Sequence, residues 1–249
     1  MAVSTTLIVG ASRGLGLELV KQHSKTGKYH VFATVRRPTN TIPTADNIVQ
    51  LTLDQANPDS VRAAASEIAE LDTLIINAAI GADEHLLTTS ESRLSEYMNT
   101  NIAGPIRVVK AFLPALLKRN TRKIVLISSE AGSLSLQVDN TFGFHGPYAV
   151  TNAAANMVAV QLHNELRSWG FTVVAVHPGW VATDMGRIAG DGGMTPAEAA
   201  LRLLEVVEEV QVSDSASFFS IMMGLVYPDR LRLVYYPVSL RCNADGHSI

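Results

Sequence analysis

The sequence has few charged residues, a single cysteine and no long hydrophobic run. Charged side chains make up 17% of its 249 residues and apolar ones 47%, a balance that provides a core and excludes a disordered chain. Because Cys242 stands alone, no internal disulfide can form, which fits a reducing compartment. The apolar-rich stretch at 218–227 is shorter than the about 20 residues that a membrane-spanning helix needs.

The charge balance and the first residues narrow the class of protein further. A net charge of −3 disfavours a surface for nucleic acid or for acidic membranes. The N-terminus shows no basic region followed by an apolar stretch, so we expect no secretory signal. We therefore expect a soluble, cytoplasmic protein without a nucleic-acid or membrane partner.

A glycine-rich turn near the N-terminus is the most informative motif. Residues 5–9 form an apolar, β-branched run, and glycines follow at positions 10, 14 and 16 before a segment of helix formers. This pattern predicts a buried parallel strand, a tight turn and the start of a helix, whose free N–H groups and positive dipole end suit a pyrophosphate. The spacing differs from the G-x-G-x-x-G dinucleotide fingerprint, so a turn that serves packing alone is the alternative.

Predicted strands and helices alternate along the rest of the chain. Further strands are predicted at 29–35, 48–53, 74–76, 124–127 and 171–176, and helices at 58–69, 90–118, 148–169 and 196–210. Asn57 and Thr195 are predicted N-caps, and Gly104-Pro105 is expected to mark a bend or close packing. The pattern predicts an α/β fold, a doubly wound, Rossmann-like parallel sheet with helices on both faces.

Polar residues punctuate the carboxyl ends of the predicted strands, where ligands bind in doubly wound folds. They are Gly10 to Gly16, Arg36, Asp54, Asn77, Ser129 and Pro178-Gly179. We expect one domain over residues 1–249, in which residues 211–249 form a divergent C-terminal substrate lid or extension.

In this order and spacing the motifs resemble those of the short-chain dehydrogenase/reductase family, over residues 5–210. The likeness rests on Gly10-x-x-x-Gly14-x-Gly16, Asp54, Asn77-Ala78-Ala79, Asn101, Ser129, Tyr148, Pro178-Gly179 and Thr183. It implies cofactor contacts from Gly10, Ser12, Arg13, Gly14, Leu15, Gly16, Arg36, Asp54, Asn77, Ala78, Tyr148, Asn152, Pro178, Gly179, Val181 and Thr183. It also implies catalytic roles for Asn101, Ser129, Tyr148 and Asn152, substrate contacts from Ser129, His145, Tyr148 and Trp180, and no metal.

The choice of cofactor is predicted from the residues that follow the second strand. Enzymes that use NAD usually place an acid there, which accepts a hydrogen bond from the ribose 2′-hydroxyl. This sequence has Arg36-Arg37 instead, and Arg13 lies within the glycine turn. Guanidinium groups can bind a 2′-phosphate through charge-assisted hydrogen bonds, so we expect NADP(H). Solvated loop arginines are the alternative.

One family residue is missing. The resemblance implies that Tyr148 is the general acid and that Ser129 orients the substrate carbonyl, but the family's Tyr-x-x-x-Lys motif is here Tyr148-Ala149-Val150-Thr151-Asn152. The family lysine binds the cofactor ribose and lowers the tyrosine pKa, and no lysine follows Lys123. Asn152 can bond ribose without a charge, so Tyr148 is expected to stay nearer a pKa of about 10. His145 is a second candidate proton donor, or a polar residue of the substrate loop.

The long interval of 19 positions between Ser129 and Tyr148 is similar to that of the smaller carbonyl-reductase-like branch and is expected to form the substrate wall. With Phe142, Phe144 and Trp180 nearby, a hydrophobic carbonyl compound is the expected substrate. The first hypothesis is an NADPH-dependent reductase of a ketone or aldehyde. The second is a non-redox enzyme, for isomerisation or cyclisation, that uses Asp139 or His145 as well. The third is a catalytically silent nucleotide-binding protein. The resemblance also implies a homodimer formed through the two long helices.

Overall fold

The computed structural model describes residues 3–221, which form a seven-stranded parallel sheet flanked by helices. The strands are β1 (Ser4–Val9), β2 (Tyr29–Val35), β3 (Ile48–Thr52), β4 (Thr73–Ile76), β5 (Lys123–Ile127), β6 (Thr172–His177) and β7 (Phe218–Ser220). Their order across the sheet is β3-β2-β1-β4-β5-β6-β7, so the strand order reverses between β1 and β4. Doubly wound sheets bind ligands at that reversal, outside the carboxyl ends of the strands.

Helices cover both faces of the sheet. They are α1 (Gly14–Lys25), α2 (Pro58–Ser66), α3 (Glu91–Tyr97), α4 (Gly104–Leu117), α5 (Leu134–Gln137), α6 (Gly146–Leu166) and α7 (Pro196–Glu209). Because successive strand residues point to opposite faces, the sheet contributes to two cores. Ile8 of β1 belongs to the core shared with α1 and α7, whereas Leu7 belongs to the core shared with α2, α4 and α6. The predicted doubly wound, Rossmann-like fold is confirmed.

Both predicted N-caps are confirmed. The Asn57 side chain accepts hydrogen bonds from the N–H groups of the next two polar residues at the start of α2, at 2.9 and 3.2 Å. The Thr195 hydroxyl accepts from the Glu198 N–H at 3.2 Å, and Pro196 takes the first position of α7. Each cap satisfies N–H groups that a helix start leaves unpaired.

The long helix predicted at 90–118 is interrupted by a wider turn. Met98–Ala103 form a π-helix between α3 and α4. Pro105 has no N–H to donate to the carbonyl of Asn101 four residues earlier, and the wider turn accommodates this missing bond. A Cβ on Gly104 would lie 2.9 Å from the side chain of Gln55, so the close packing predicted at Gly104-Pro105 is confirmed.

The last described residues add an edge to the sheet. β7 pairs in parallel with β6, with Phe219 opposite Val176, and Phe219 and Ile221 are buried. The expected C-terminal extension therefore begins with a strand. The rest of it, residues 222–249, lies outside the described residues, and its role as a lid stays a prediction. Within residues 3–221 no helix is long and apolar enough to span a membrane.

Candidate active site

The glycine turn joins β1 to α1 and packs against the end of β4. Gly10 has a φ of 86°, and a Cβ there would lie 2.7 Å from Ala78. A Cβ on Gly16 would overlap the carbonyl oxygen of Gly10, which also accepts a hydrogen bond of 2.8 Å from the Asn77 amide. Only a hydrogen atom fits at either glycine, and this brings the turn, Asn77 and Ala78 into contact.

The start of α1 has the donors that a phosphate group needs. Arg13 is the N-cap but makes no side-chain capping bond, Ser12 is exposed and Leu15 is buried behind the turn. Uncapped N–H groups and the positive end of the helix dipole form a favourable anion site. The narrow glycine cradle and these donors fit the pyrophosphate of a dinucleotide. The Arg13 guanidinium pairs with Asp184 at 3.2 Å, and both side chains are largely exposed.

Charged side chains follow β2, which pairs with β1, and β3, which pairs with β2 at the edge of the sheet. Arg36 and Arg37 are exposed, and neither guanidinium has an ion-pair partner within residues 3–221. Asp54 accepts a hydrogen bond of 2.9 Å from the Ala56 N–H through Oδ1, which closes a turn and leaves Oδ2 for a ligand. A cation and an acceptor therefore lie at the end of the sheet where the adenosine part of a dinucleotide would extend from the glycine turn.

Asn101 is buried at the centre of the π-helix and fixes the segment after β4. Its amide accepts from the Ile80 N–H and donates to the Ile80 carbonyl, both at 2.9 Å. It also donates to the Thr151 hydroxyl at 3.1 Å, which in turn donates to the Tyr148 carbonyl at 3.1 Å. Asn101 thus connects the end of β4 to the start of α6. Thr151 is fully buried. It was not among the predicted site residues, and its only signal in the sequence is its position one helical turn after Tyr148.

Ser129 and Tyr148 meet at the carboxyl edge of the sheet. Ser129 follows β5 and Tyr148 lies in the first turn of α6, where Ser129 is near enough to the phenol to influence its pKa. Burial raises the pKa of the Tyr148 phenol above its usual value, although hydrogen bonds from Ser129 and Asn152 oppose the rise. Tyr148 is therefore a neutral acid near pH 7 rather than a phenolate, with a pKa above the value expected from the sequence.

Asn152 faces inward at the position where the resembled family has lysine. It is 7% exposed, and its amide nitrogen donates to the carbonyl of Tyr148 at 2.9 Å. The Ser128 hydroxyl donates to the Asn156 amide at 2.6 Å and lies 3.5 Å from the Asn152 oxygen. Both polar atoms of Asn152 thus have a partner within the protein. The ribose contact expected from the sequence stays a prediction.

The loop after β6 closes the site against the glycine turn. Gly179 has a φ of 73° after Pro178, and Val181 forms a parallel bridge to Met194. The Thr183 hydroxyl accepts from the Gly186 N–H at 3.1 Å, and its methyl group would lie 3.1 Å from a Cβ on Gly14. The predicted cofactor residues of this loop and those of the turn are therefore neighbours.

Aromatic side chains lie around Tyr148 and on the loop after β6. The ring of Tyr148 lies against Gly81, where a Cβ would come within 2.7 Å, and packs edge-on against Phe144 at 5.1 Å between ring centres. Trp180 donates to the Gly186 carbonyl at 2.9 Å and packs edge-on against Phe142 at 5.3 Å. Of the predicted wall, Phe144 is buried, Phe142 is exposed and Trp180 is partly buried.

His145 and His177 differ in the hydrogen-bond partners of their ring nitrogens. The Nδ1 of His145 lies 3.2 Å from Asp83 Oδ1 and its Nε2 lies 3.2 Å from the Asn140 carbonyl. His177, at the end of β6, is buried, its ring nitrogens have no hydrogen-bond partner among residues 3–221, and Nε2 lies 3.6 Å from Glu130. Burial lowers the pKa of His177 to about 4, so this ring is neutral. The sequence offered no signal for His177 beyond its place before Pro178.

A small cavity lies beneath the catalytic candidates. Its volume is about 20 Å³, enough for one water molecule. The lining residues are Ile76, Ala78, Ala79, Asn101, Pro105, Leu126, Ile127, Thr151, Asn152 and Ala155. In the described part of the chain no group of three or more His, Cys, Asp or Glu side chains is arranged to hold a metal ion.

Comparisons with known proteins agree with this geometry. The family model for short chain dehydrogenases matches residues 4–191. An uncharacterized oxidoreductase of Saccharomyces cerevisiae is 33% identical over 244 residues, which cover 87% of this chain and 94% of that protein.

Solved structures of carbonyl reductases have the same fold. The NADPH-bound carbonyl reductase from chicken fatty liver superposes with a TM-score of 0.81 at 30% identity, over 89% of this chain and 97% of that one. The carbonyl reductase Sniffer of D. melanogaster gives a TM-score of 0.79 at 25% identity over the same shares. With a family model that matches most of its length, this chain belongs to the short chain dehydrogenase family.

Proposed function

We propose that the protein reduces a ketone or aldehyde group on a hydrophobic small molecule with NADPH. The observation that carries this proposal is the Tyr148 phenol with Ser129 as its neighbour, beside a glycine turn whose helix start has no side-chain cap. A binding protein needs the turn but has no use for a neighbouring phenol and hydroxyl. The apolar mouth at Phe142 and Trp180 supports a hydrophobic substrate.

The cofactor assignment is supported by the donors at the glycine turn and by the free cations after β2. The first turn of α1 would hold the pyrophosphate, and Asp54 the adenine amine. Arg36 and Arg37 would hold the 2′-phosphate that distinguishes NADPH from NADH. The similar carbonyl reductase from chicken fatty liver was solved with NADPH bound.

In the proposed reaction Tyr148 and Ser129 act on the substrate oxygen. When bound, NADPH supplies the hydride that reduces the carbonyl carbon. Ser129 donates a hydrogen bond to the carbonyl oxygen and stabilises the negative charge that develops there. Tyr148 transfers its phenolic proton to the same oxygen, so that the product is an alcohol and Tyr148 is left as phenolate. A positioned acid of this kind contributes about 10²–10⁴-fold to the rate.

Asn152 is proposed to bias the enzyme towards reduction. The raised pKa of Tyr148 keeps the proton that reduction needs, whereas alcohol oxidation needs the phenolate. No ammonium group replaces the family lysine, because Asn152 is neutral and is bonded to the Tyr148 carbonyl. The same observation favours a second candidate function, a non-redox reaction on the same fold in which Ser129 and Tyr148 act as acid–base groups.

The test is single-turnover oxidation of NADPH with a panel of activated ketones and aldehydes. The wild-type protein, Asn152→Lys and Tyr148→Phe are compared, and NADPH binding is followed in the same samples by fluorescence. Turnover by the wild-type protein, with loss of about 10²-fold or more in Tyr148→Phe, supports the reductase. Turnover by Asn152→Lys alone supports the non-redox alternative. Failure of all three proteins to bind NADPH refutes the cofactor assignment.

We further propose a homodimer formed through α4 and α6. Ile106, Val150 and Met157 on these helices are 43%, 42% and 54% exposed, an apolar surface that a partner would cover. Sedimentation at micromolar concentration is the test, and a monomer alone at that concentration contradicts the proposal.

A further inference from the structure

Both ring nitrogens of His145 face oxygen atoms that accept hydrogen bonds. Its Nδ1 and Nε2 each lie 3.2 Å from an oxygen, one in the Asp83 carboxylate and the other in the Asn140 carbonyl. Both oxygens can only accept hydrogen bonds, so the ring must donate from both nitrogens. A neutral imidazole carries one N–H and can satisfy one of the two oxygens. The complete arrangement therefore belongs to the imidazolium form.

The two bonds join a fixed segment to the aromatic wall. On the fixed side, a Cβ on Gly146 would overlap the Glu84 carbonyl, so the segment with Asp83 lies directly against the start of α6. Glu84 accepts from Arg93 at 3.0 Å, and the Arg93 guanidinium lies 4.6 Å from the centre of the Tyr97 ring. Asp83 thus adjoins an ion pair that packs on the buried Tyr97 ring.

On the other side, Asn140 fixes the position of Phe142. The Asn140 side chain donates to the Phe142 carbonyl at 2.8 Å and accepts from the Phe142 N–H at 3.0 Å. The Phe142 ring packs edge-on against Trp180, which the Gly186 carbonyl holds through the indole N–H. The bond from His145 to the Asn140 carbonyl is therefore the link between this wall and the fixed segment.

We propose that protonated His145 is a positioning residue that straps the substrate wall at Phe142 to the Asp83 segment and so makes substrate binding depend on pH. This proposal rests on the reductase function, because the wall is taken as the substrate side of that site. Protonation closes the strap, and loss of the proton releases one of its two bonds. Tyr148 and Ser129 are untouched, so the strap acts on KM and not on the chemical step.

The charged groups around the strap are few. Asp83 and Glu84 lie on the fixed segment, and Glu84 is already paired with Arg93. Asp139 neighbours Asn140 on the wall, and on α6 itself the next titratable group is the Tyr148 phenol. The positive end of the α6 dipole opposes a cation at His145, whereas the Asp83 carboxylate favours it.

The kinetic test measures kcat and KM for an apolar ketone with NADPH between about pH 5 and about pH 8, the range in which histidine usually changes charge. In the wild-type protein KM should rise about fivefold as the pH rises across this range, with little change in kcat. A change of this size corresponds to the loss of one half-exposed, charge-assisted hydrogen bond. His145→Gln should show the high KM at every pH, and Asp83→Asn should raise KM at the acid end. His85→Gln, an exposed histidine on the same segment, is the control and should keep the wild-type profile.

A second readout is independent of activity. Trp180 fluorescence, measured in the Trp169→Phe background, should change with pH in the wild-type sequence and lose that change in His145→Gln. Persistence of the wild-type pH profile of KM or of Trp180 emission in His145→Gln overturns the strap. If no substrate is reduced, the proposed reductase function is wrong. The Trp180 fluorescence measurement still tests the strap in that case. Should His145→Gln not fold by circular dichroism, Asp83→Asn replaces it in both arms.

Discussion

In Gly16→Ala the added methyl group has two opposite effects on the stability of the fold. Gly16 lies in the first turn of α1, and alanine inside a helix is normally favoured over glycine by about 1 kcal/mol. Here, however, the Cβ would overlap the Gly10 carbonyl oxygen and lie 2.6 Å from the Asn77 amide nitrogen. Overpacking typically costs about 1–3 kcal/mol, and loss of the bond from Asn77 to Gly10 adds about 1–3 kcal/mol.

The steric effects should win, and the variant should be destabilised by about 1–5 kcal/mol in net terms. For a chain of this length each kcal/mol lowers the melting temperature by about 2–4 °C, so a loss of about 3 kcal/mol, the middle of that range, gives a drop of about 6–12 °C. Because the displaced Gly10 carbonyl belongs to the turn that would hold the pyrophosphate, NADPH affinity should fall by about tenfold or more.

The assay is thermal unfolding together with fluorescence titration of NADPH. The control is Gly27→Ala, at a position after α1 where a Cβ meets no atom within 4 Å. With its φ of 67° the control should lose about 1 kcal/mol of stability and keep its NADPH affinity. A Gly16→Ala protein that is as stable as the wild type and binds NADPH equally well would refute the reasoning.

Two further predictions follow from the charged residues. Arg36→Ala should weaken NADPH binding by about tenfold and leave NADH binding nearly unchanged, since the exposed guanidinium is proposed to contact only the 2′-phosphate; equal loss for both cofactors would contradict that role. Burial lowers the pKa of His23 and of His177 to about 4, against about 6.5 in an unfolded chain. The unfolded state therefore binds protons first, and the free energy of unfolding should fall as the pH falls from about 6.5 to about 4, by up to about 3 kcal/mol for each histidine. His177→Phe, compared with the wild type by urea unfolding at about pH 7 and about pH 4.5, should remove roughly half of that loss.

The fold could be predicted because its signals are local. Six of the seven β-strands were predicted as apolar-rich runs, whereas β7 was not. Asn57 and Thr195 mark helix starts through bonds to residues two and three positions away. The π-helix at Met98–Ala103 was missed although its cause is also local, since Pro105 removes the donor for the Asn101 carbonyl. A proline inside a predicted helix indicates that a backbone hydrogen bond is lost there. The form that the backbone takes at that point depends on tertiary packing, here of Gly104 on Gln55.

The sequence predicted which residues lie at the candidate site better than it predicted the hydrogen bonds between them. The carboxyl ends of parallel strands must share one edge, so the glycine turn, Asn77, Ser129 and Pro178 could be expected to lie together. That Asn152 would bond back to the Tyr148 carbonyl instead of remaining free for a ribose could not be expected, because an i to i−4 amide bond competes with contacts that the sequence does not show.

The sequence by itself determined the class of fold, the sheet edge that bears the site and the residues that could perform the chemistry, because periodicity, caps and glycine spacing act within a few residues. Only the tertiary structure decided the charge states and the partners. His145 meets Asp83 across 62 positions, whereas His177 meets no hydrogen-bond partner within residues 3–221 and is neutral. Both are histidines beside a turn in the sequence, and the difference between them arises from desolvation and from groups that folding brings together.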